Sequence, residues 1–220
     1  DRKGRRATLL PGLALFVIGS VVCLAAKQYG SFLLGRALQA AGIRAVFGNS
    51  FRDRPEVPVR RFHSLHERIA DATRLRATLP DDGLVTLGIC LNNIEEVDAA
   101  TNRREILAAR ELDVPIAVHS NFPGQVDLLD ERDLLGPDIQ WVHGSTMTDD
   151  ELRKIAASGG TFTLTPEYEM MNGAYPMTGR VVAAGITAGF GSDLPSALNA
   201  DALYQPRFGL QIEGSRINRA

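Results

Sequence analysis

Short apolar segments alternate with amphipathic segments along most of this chain of 220 residues. The apolar segments have the length and composition of buried strands, and the segments between them repeat apolar positions at helical spacing. This pattern predicts strands at Ile43–Gly48, Leu84–Cys90, Pro115–His119, Ile139–His143, Thr161–Thr165 and Ile186–Phe190. It predicts helices at Lys27–Gly42, Ser64–Thr78, Glu95–Leu112, Thr148–Ala157 and Gly179–Ala184.

Strands that alternate with helices and are joined by short turns predict a mostly parallel sheet with helical crossovers. We count about seven strands from Ser20 to Phe190, or eight if Leu13–Ile18 is also a strand. A (β/α)8 barrel usually needs about 250 residues. We therefore expect an α/β fold like a TIM barrel, compressed or incomplete, with an open doubly wound sheet as the alternative. Residues 1–220 are expected to form a single domain, with 1–13 as a lead-in and the chain itself a fragment or processed segment.

The uncharged stretch Leu9–Ala26 has two interpretations. Arg2, Lys3, Arg5 and Arg6 precede it, and a basic flank before an apolar run is typical of a secretory signal or membrane anchor. Pro11 and the glycines inside the run favour two buried strands separated by a turn, which is the interpretation we prefer.

Composition narrows the classes of function. The net charge is −2 with acidic and basic residues mixed, and we find no signature of a nucleic-acid-binding surface. Cys23 and Cys90 form neither a disulfide framework nor a C-x-x-C pair, which favours a reducing, cytoplasmic location. A small-molecule substrate is expected, without a membrane partner, and a homo-oligomer remains open.

Three side chains able to bind metal or move protons follow predicted strands. His119 and His143 end their strands, and Asp193 comes shortly after the last one. A single histidine at a strand end is usually structural. Parallel strands, however, bring their carboxyl ends to one face, where α/β barrels carry out their chemistry. We therefore expect the three side chains to share one pocket.

The ordered set of segments resembles the amidohydrolase superfamily, in the branch of cytosine deaminases and triazine hydrolases. The segments that carry the resemblance are Leu9–Leu13, Ala41–Phe47, Ala117–His119, Val142–Gly144, Asp149–Gly160, Thr165–Glu167, Ala184–Ile186 and Gly191–Asp193. The resemblance implies a hydrolase that uses a divalent metal, zinc or iron, to cleave non-peptide C–N bonds of small, cyclic molecules.

The resemblance also implies a role for each site residue. His119 would bind the metal, and Asp193 would bind it and accept the proton of the attacking water. His143 would polarise the substrate or hold the water, and is a possible third ligand. Glu167 and Glu169 follow the seventh strand of the family pattern, where they could face the mouth of the barrel and bind substrate, or be solvated in a polar loop.

Two departures from the family pattern weaken the expected metal site. Val17 and Gly19 stand where the family has a His-x-His pair, and Phe122 stands where its hydrolytic members have a proton-shuttling Glu. We therefore expect a metal bound loosely, and the alternative is a catalytically impaired binding or scaffold protein without a complete metal site.

Overall fold

The computed structural model describes residues 45–52, 62–79, 83–194, 198–199, 201 and 203–218. In this part of the chain six strands form one sheet, and each strand lies beside the next one in sequence order. They are β1 (Ala45–Ser50), β2 (Val85–Cys90), β3 (Ile116–Ser120), β4 (Ile139–His143), β5 (Thr161–Leu164) and β6 (Ala188–Phe190). All pairs from β2 to β6 are parallel.

Helices connect these strands, so that β and α elements alternate. They are α1 (Leu65–Thr78), α2 (Ala99–Glu111), α3 (Gln125–Asp130), α4 (Asp149–Ser158), α5 (Pro166–Met171), α6 (Thr178–Ala183) and α7 (Tyr204–Ile217). The predicted α/β fold, an incomplete barrel of (β/α) units, is confirmed. Each of the six strands predicted after residue 42 is present, with its ends shifted by at most two residues.

The helix predicted over Glu95–Leu112 is interrupted. A short 3-10 turn covers Ile94–Glu96, and α2 begins only after Asp98. The carboxylate of Asp98 accepts a hydrogen bond from the backbone N–H of Thr101, 2.7 Å away. An aspartate that caps a helix in this way sets a new N-terminus, so one predicted helix becomes two separate elements.

Contacts divide the described residues into two compact units. The smaller one includes 45–47, 75–79 and 83–87, and the larger one includes 48–52, 62–74 and the described residues from 88 onward. Within the smaller unit the backbone N–H of Ala45 donates to the carbonyl of Leu84 at 2.8 Å. The larger unit contains all the residues predicted to form the site.

The two faces of the central strands differ in burial. On one face the side chains are almost completely buried: Ile116, Val118, Ile139, Trp141, Phe162 and Leu164. The alternate positions, such as Ala117, His119 and Val142, are only half-buried. Because side chains alternate along a strand, the apolar face forms the core and the other face can receive a ligand.

A side chain at the N-terminus of α4 is hydrogen-bonded to the loop that follows β3. Thr148 and Glu151 form the expected capping box, in which each side chain accepts a hydrogen bond from the other residue's backbone N–H, at 3.2 and 2.9 Å. The second carboxylate oxygen of Glu151 accepts from the backbone N–H of Gly124 at 3.0 Å. Glu151 therefore connects the start of α4 to the loop immediately beyond His119.

In the ranges that the structure describes, none of the helices combines the length and apolar character needed to cross a membrane. The stretch Leu9–Ala26, predicted as two buried strands, lies outside those ranges, as do the helix predicted at Lys27–Gly42 and the positions of Val17 and Gly19.

Glu105 on α2 makes the stability of the fold depend on pH. Its side chain is fully buried and accepts a hydrogen bond from Asn92. Burial raises the pKa of Glu105 from 4.5 to about 7, against the opposing effects of Asn92 and Arg68. The folded state therefore holds a proton that the unfolded state releases between pH 4.5 and 7.

Glu105 alone is therefore expected to lower the free energy of unfolding by about 3 kcal/mol as the pH rises from 4.5 to 7, since each unit of pKa shift corresponds to about 1.4 kcal/mol. Glu105→Gln should remove this contribution, so that the stability measured by urea titration at several pH values falls less steeply than in the parent chain. Glu111→Gln, on an exposed position of the same helix, is the matched control and should leave the slope unchanged. An identical slope in Glu105→Gln and the parent chain would contradict the prediction.

Candidate metal centre

His119, His143 and Asp193 meet at the carboxyl ends of neighbouring strands. His119 is the fourth residue of β3, His143 is the last residue of β4, and Asp193 lies three residues beyond β6. One potential ligand atom from each residue lies within 4.8 Å of those of the other two. The structure thus brings together the three side chains selected from the sequence, in a spacing that a single ion could bridge.

The backbone of His143 accounts for its position beside His119. In the register of β3 and β4, His143 lies opposite Ser120, while His119 lies opposite Val142. Regular alternation would place the side chain of His143 on the face of Ser120, away from His119. His143 instead has a φ of 75°, and its ring stacks on that of His119 with centroids 5.3 Å apart. The left-handed residue at the strand end redirects the side chain.

Glycine is required immediately after His143. Gly144 has a φ of 74°, and a Cβ at this position would lie 2.3 Å from the Cζ of Phe162. Two consecutive left-handed residues therefore turn the chain sharply at the end of β4, directly over a buried ring.

Asp193 also has a left-handed backbone, with a φ of 58°. Its side chain is exposed, in contrast to that of His143, which is only 2% exposed. The only other non-glycine residues with positive φ in the described part of the chain are Asp113 and Asp133. Backbone strain of this kind is concentrated at functional sites, because the surrounding structure must hold it in place.

His143 is held as a neutral imidazole. Burial lowers its pKa to about 4, and this effect exceeds the opposing attraction of Asp193, while His119 lowers the pKa further. The Nδ1 atom lies 2.6 Å from the Oγ1 of Thr165, and the ring packs against Tyr168 with centroids 4.8 Å apart. A neutral imidazole keeps a lone pair, which is what a metal ligand needs.

The prediction that Glu167 and Glu169 lie in a polar loop is wrong, because both residues lie in the helix α5. Proline at the first position of a helix is favourable, and Pro166 starts this one. Glu167 is half-buried and accepts hydrogen bonds from the backbone N–H of Asn199 at 2.9 Å and from Gln205 at 2.8 Å.

Glu169 is 1% exposed, and its Oε1 lies 3.2 Å from both the backbone N and the Oγ1 of Thr165. The two carboxylates are thus engaged with other parts of the protein. Their role in binding substrate remains a prediction.

Phe122 occupies the position three residues after His119, and this residue is 53% exposed. Its backbone N–H donates to the side chain of Gln125 at 3.3 Å. An aromatic ring cannot carry a proton between water and a leaving group. The side chain at residue 122 therefore cannot carry the proton transfers of a hydrolysis.

Thr165 and Tyr168, which contact His143, were not selected from the sequence. Thr165 follows β5 directly, as His143 ends β4, so the strand-end argument used for the histidines would also have pointed to it. Tyr168 had no such signal, because its contact depends on the short helix α5.

The set of donors suits a transition metal. Two imidazoles and one carboxylate form a ligand set used by catalytic zinc sites and by non-haem iron. Among the described residues this is the only group of three or more His, Cys, Asp or Glu side chains that could hold an ion. Its position at the strand ends is also where barrels of this class place their active sites.

Comparison with curated proteins gives short matches such as the following two. No family model matches the chain. The multidrug resistance protein MdtL of Escherichia coli O45:K1 (strain S88 / ExPEC) is 50% identical over 42 residues, which is 19% of this chain and 11% of that protein. The same protein from Escherichia coli O139:H28 (strain E24377A / ETEC) matches with the same identity and coverage. The chain thus spans about a tenth of these relatives, which is too little to show a family.

Solved structures match much more of the chain. An adenosine deaminase from Xanthomonas campestris with bound zinc has a TM-score of 0.72 at 19% identity, covering 84% of this chain and 45% of its own. An amidohydrolase from a Sargasso Sea environmental sample has a TM-score of 0.62 at 20% identity, covering 75% and 41%.

A mutant atrazine chlorohydrolase from Arthrobacter aurescens TC1, complexed with zinc and atraton, has a TM-score of 0.59 at 16% identity, covering 76% and 42%. The chain therefore spans less than half the length of each of these structures. At such identities the likeness concerns the fold.

Proposed function

We propose that this chain, which has the fold of the amidohydrolase superfamily, is a metal-dependent hydrolase that cleaves a non-peptide C–N bond of a small, cyclic molecule. The observation that carries the proposal is the convergence of His119, His143 and Asp193, with ligand atoms within 4.8 Å of one another. Structures of the same fold include a deaminase and a chlorohydrolase that contain zinc.

His119, His143 and Asp193 would hold the metal, and zinc and iron both suit this donor set. When bound, such an ion lowers the pKa of water toward neutrality and polarises a carbonyl or imine. The buried, neutral His143 would present a lone pair toward the metal or the attacking water. The stacked ring of His119 would supply a second nitrogen donor.

Asp193 is the group proposed to move the proton. Its carboxylate is exposed, so that it can meet both an incoming water and a bound substrate. As a general base it would accept a proton from the water, and as an acid it would pass that proton to the leaving nitrogen. Asp193 would have to perform both steps, because residue 122 is a phenylalanine.

A second candidate is a binding or scaffold protein that has lost catalysis. Phe122 favours it, since no carboxylate follows His119 at the spacing seen in the hydrolytic members of the family that the sequence resembles. Val17 and Gly19, which stand where that family has histidine ligands, favour it as well.

A cytoplasmic location remains an expectation from cysteine usage.

Hydrolysis assays with added metal test the proposal. The whole chain, loaded with zinc or with iron(II), is expected to release product from at least one member of a panel of cyclic amides, amino-pyrimidines and amino-triazines. His119→Asn should abolish this activity, because it removes one of three ligands. His63→Asn, an exposed histidine outside the site, is the matched control. No turnover by the metal-loaded parent chain on the whole panel would favour the scaffold protein.

A further inference from the structure

A buried chain of polar contacts runs from His143 into the protein. The Oγ1 of Thr165 lies 2.6 Å from the Nδ1 of His143 and 3.2 Å from the Oε1 of Glu169. Thr165 is 2% exposed and Glu169 is 1% exposed. Since buried polar groups must be satisfied within the protein, the directions of these hydrogen bonds are constrained by the number of protons available.

We propose that Thr165 and Glu169 are positioning residues that hold the proton of His143 on Nδ1 and so leave Nε2 as the free donor atom. The threonine hydroxyl has one proton, and an ionised glutamate can only accept. The hydroxyl therefore donates to Glu169, and its oxygen accepts the Nδ1–H of His143. The opposite arrangement would leave the two oxygens of Thr165 and Glu169 facing each other without a proton between them.

The backbone keeps this arrangement rigid. The N–H of Thr165 donates to the Oε1 of Glu169 at 3.2 Å, and the N–H of Glu169 donates to the carbonyl of Thr165 at 3.0 Å. The two residues are thus linked in both directions across the first turn of α5. Glu169 cannot turn away from the hydroxyl without losing the acceptor for a buried N–H, which is costly.

The ionised form of Glu169 is available at moderately alkaline pH. Burial raises the pKa of this carboxyl to about 7, although the hydrogen bonds from Thr165 oppose the increase. At pH 8.5 the carboxylate therefore predominates, and the tautomer of His143 can be observed under defined conditions.

Nitrogen-15 NMR of the metal-free chain at pH 8.5 tests the inference directly, because two-bond proton–nitrogen correlations distinguish the tautomers of histidine. The chain has four histidines, and the signals lost in His143→Asn assign the one of interest. We expect the proton on Nδ1 in the parent chain and in Thr165→Ser, which keeps the hydroxyl. Thr165→Val should abolish the preference for this tautomer.

Glu169→Met should shift His143 to the Nε2–H tautomer, because the released hydroxyl proton can then be donated to Nδ1. Glu169→Gln keeps a carbonyl acceptor and should resemble the parent chain. A purely structural role for these residues would not produce these opposite effects on the tautomer. A proton on Nε2 in the parent chain, or an unchanged tautomer in both Thr165→Val and Glu169→Met, would overturn the inference. If Thr165→Val does not fold, the parent spectrum and Glu169→Met still decide.

The consequence for metal binding rests on the proposed function. Loss of a group that orients a histidine ligand typically lowers metal affinity by about 10- to 100-fold. Zinc affinity measured against a competing chelator should therefore fall by this factor in Thr165→Val and Glu169→Met, but not in Thr165→Ser. A parent chain with the Nδ1–H tautomer that binds no zinc would refute the proposed function and leave the assignment of Thr165 and Glu169 intact.

Discussion

Asp193→Asn is expected to lower the rate of hydrolysis by the metal-loaded chain about a hundredfold to ten-thousandfold, the usual range for removing a general base. The amide cannot take a proton from water, and it is also a weaker metal ligand. The losses in rate from removing the general base and from weakening the metal ligand are not expected to add, because both roles act in the same step. No carboxylate at residue 122 can substitute.

Asparagine is the substitution of choice because of the backbone at residue 193. Its φ of 58° is a conformation that asparagine adopts readily and that β-branched or bulky residues do not. The change therefore removes the charge without adding strain. Asp133→Asn is the matched control, since Asp133 is exposed, has a φ of 54° and lies outside the site. Equal rates for Asp193→Asn and the parent chain would show that turnover does not use this site.

A mild chelator is expected to remove the metal almost completely from the purified chain during dialysis. Only three donors converge in the described structure, and Asp193 among them is open to solvent. A catalytic zinc site usually has three protein ligands and a water. The three side chains here just reach that number, so a weak bond to any one of them leaves the metal with two firm protein ligands. Val17 and Gly19 offer no ligand at the positions where the resemblance would place two histidines.

Metal content after dialysis, measured by elemental mass spectrometry, checks this expectation. Activity should disappear with the metal and return when zinc or iron(II) is added back. The His63→Asn chain should lose and regain metal as the parent chain does. Stoichiometric zinc or iron that survives prolonged dialysis would show that the ligand set is stronger than the three described side chains suggest.

Features determined by neighbouring residues could be predicted from the sequence. The strand at Ile139–His143 and the capping box of Thr148 and Glu151 have the predicted ends and partners. A capping box depends on residues three apart, and a buried strand depends on a short apolar run. Both are visible in the sequence without any knowledge of the rest of the fold.

Two of the short helices, α3 and α5, depend on more distant contacts and were missed. No helix was predicted over the segment that forms α3, yet Gln125 at its start is buried and hydrogen-bonded to Glu95. Lys154 on α4 also pairs with Asp127 and Asp130, both at 2.8 Å. A six-residue helix is unstable alone, so such contacts determine whether it forms.

The sequence predicted where the site lies, but not the direction in which the side chain of His143 points. The position of His119, His143 and Asp193 at or after strand ends predicted that they lie at one edge of the sheet. Strict alternation would nevertheless have turned His143 away from His119. The left-handed turn that corrects this depends on the fit of Gly144 against Phe162, which only the packed structure reveals.

The left-handed backbone at His143 and Asp193 has a genetic consequence. Asparagine, aspartate and histidine are the side-chain-bearing residues that this conformation favours. Their codons differ from one another only in the first base. A single point mutation at either position can therefore exchange a proposed metal donor for a weaker one, or restore it, while the backbone keeps its shape. Under the proposed function, an active chain and an inactive one would differ by one nucleotide.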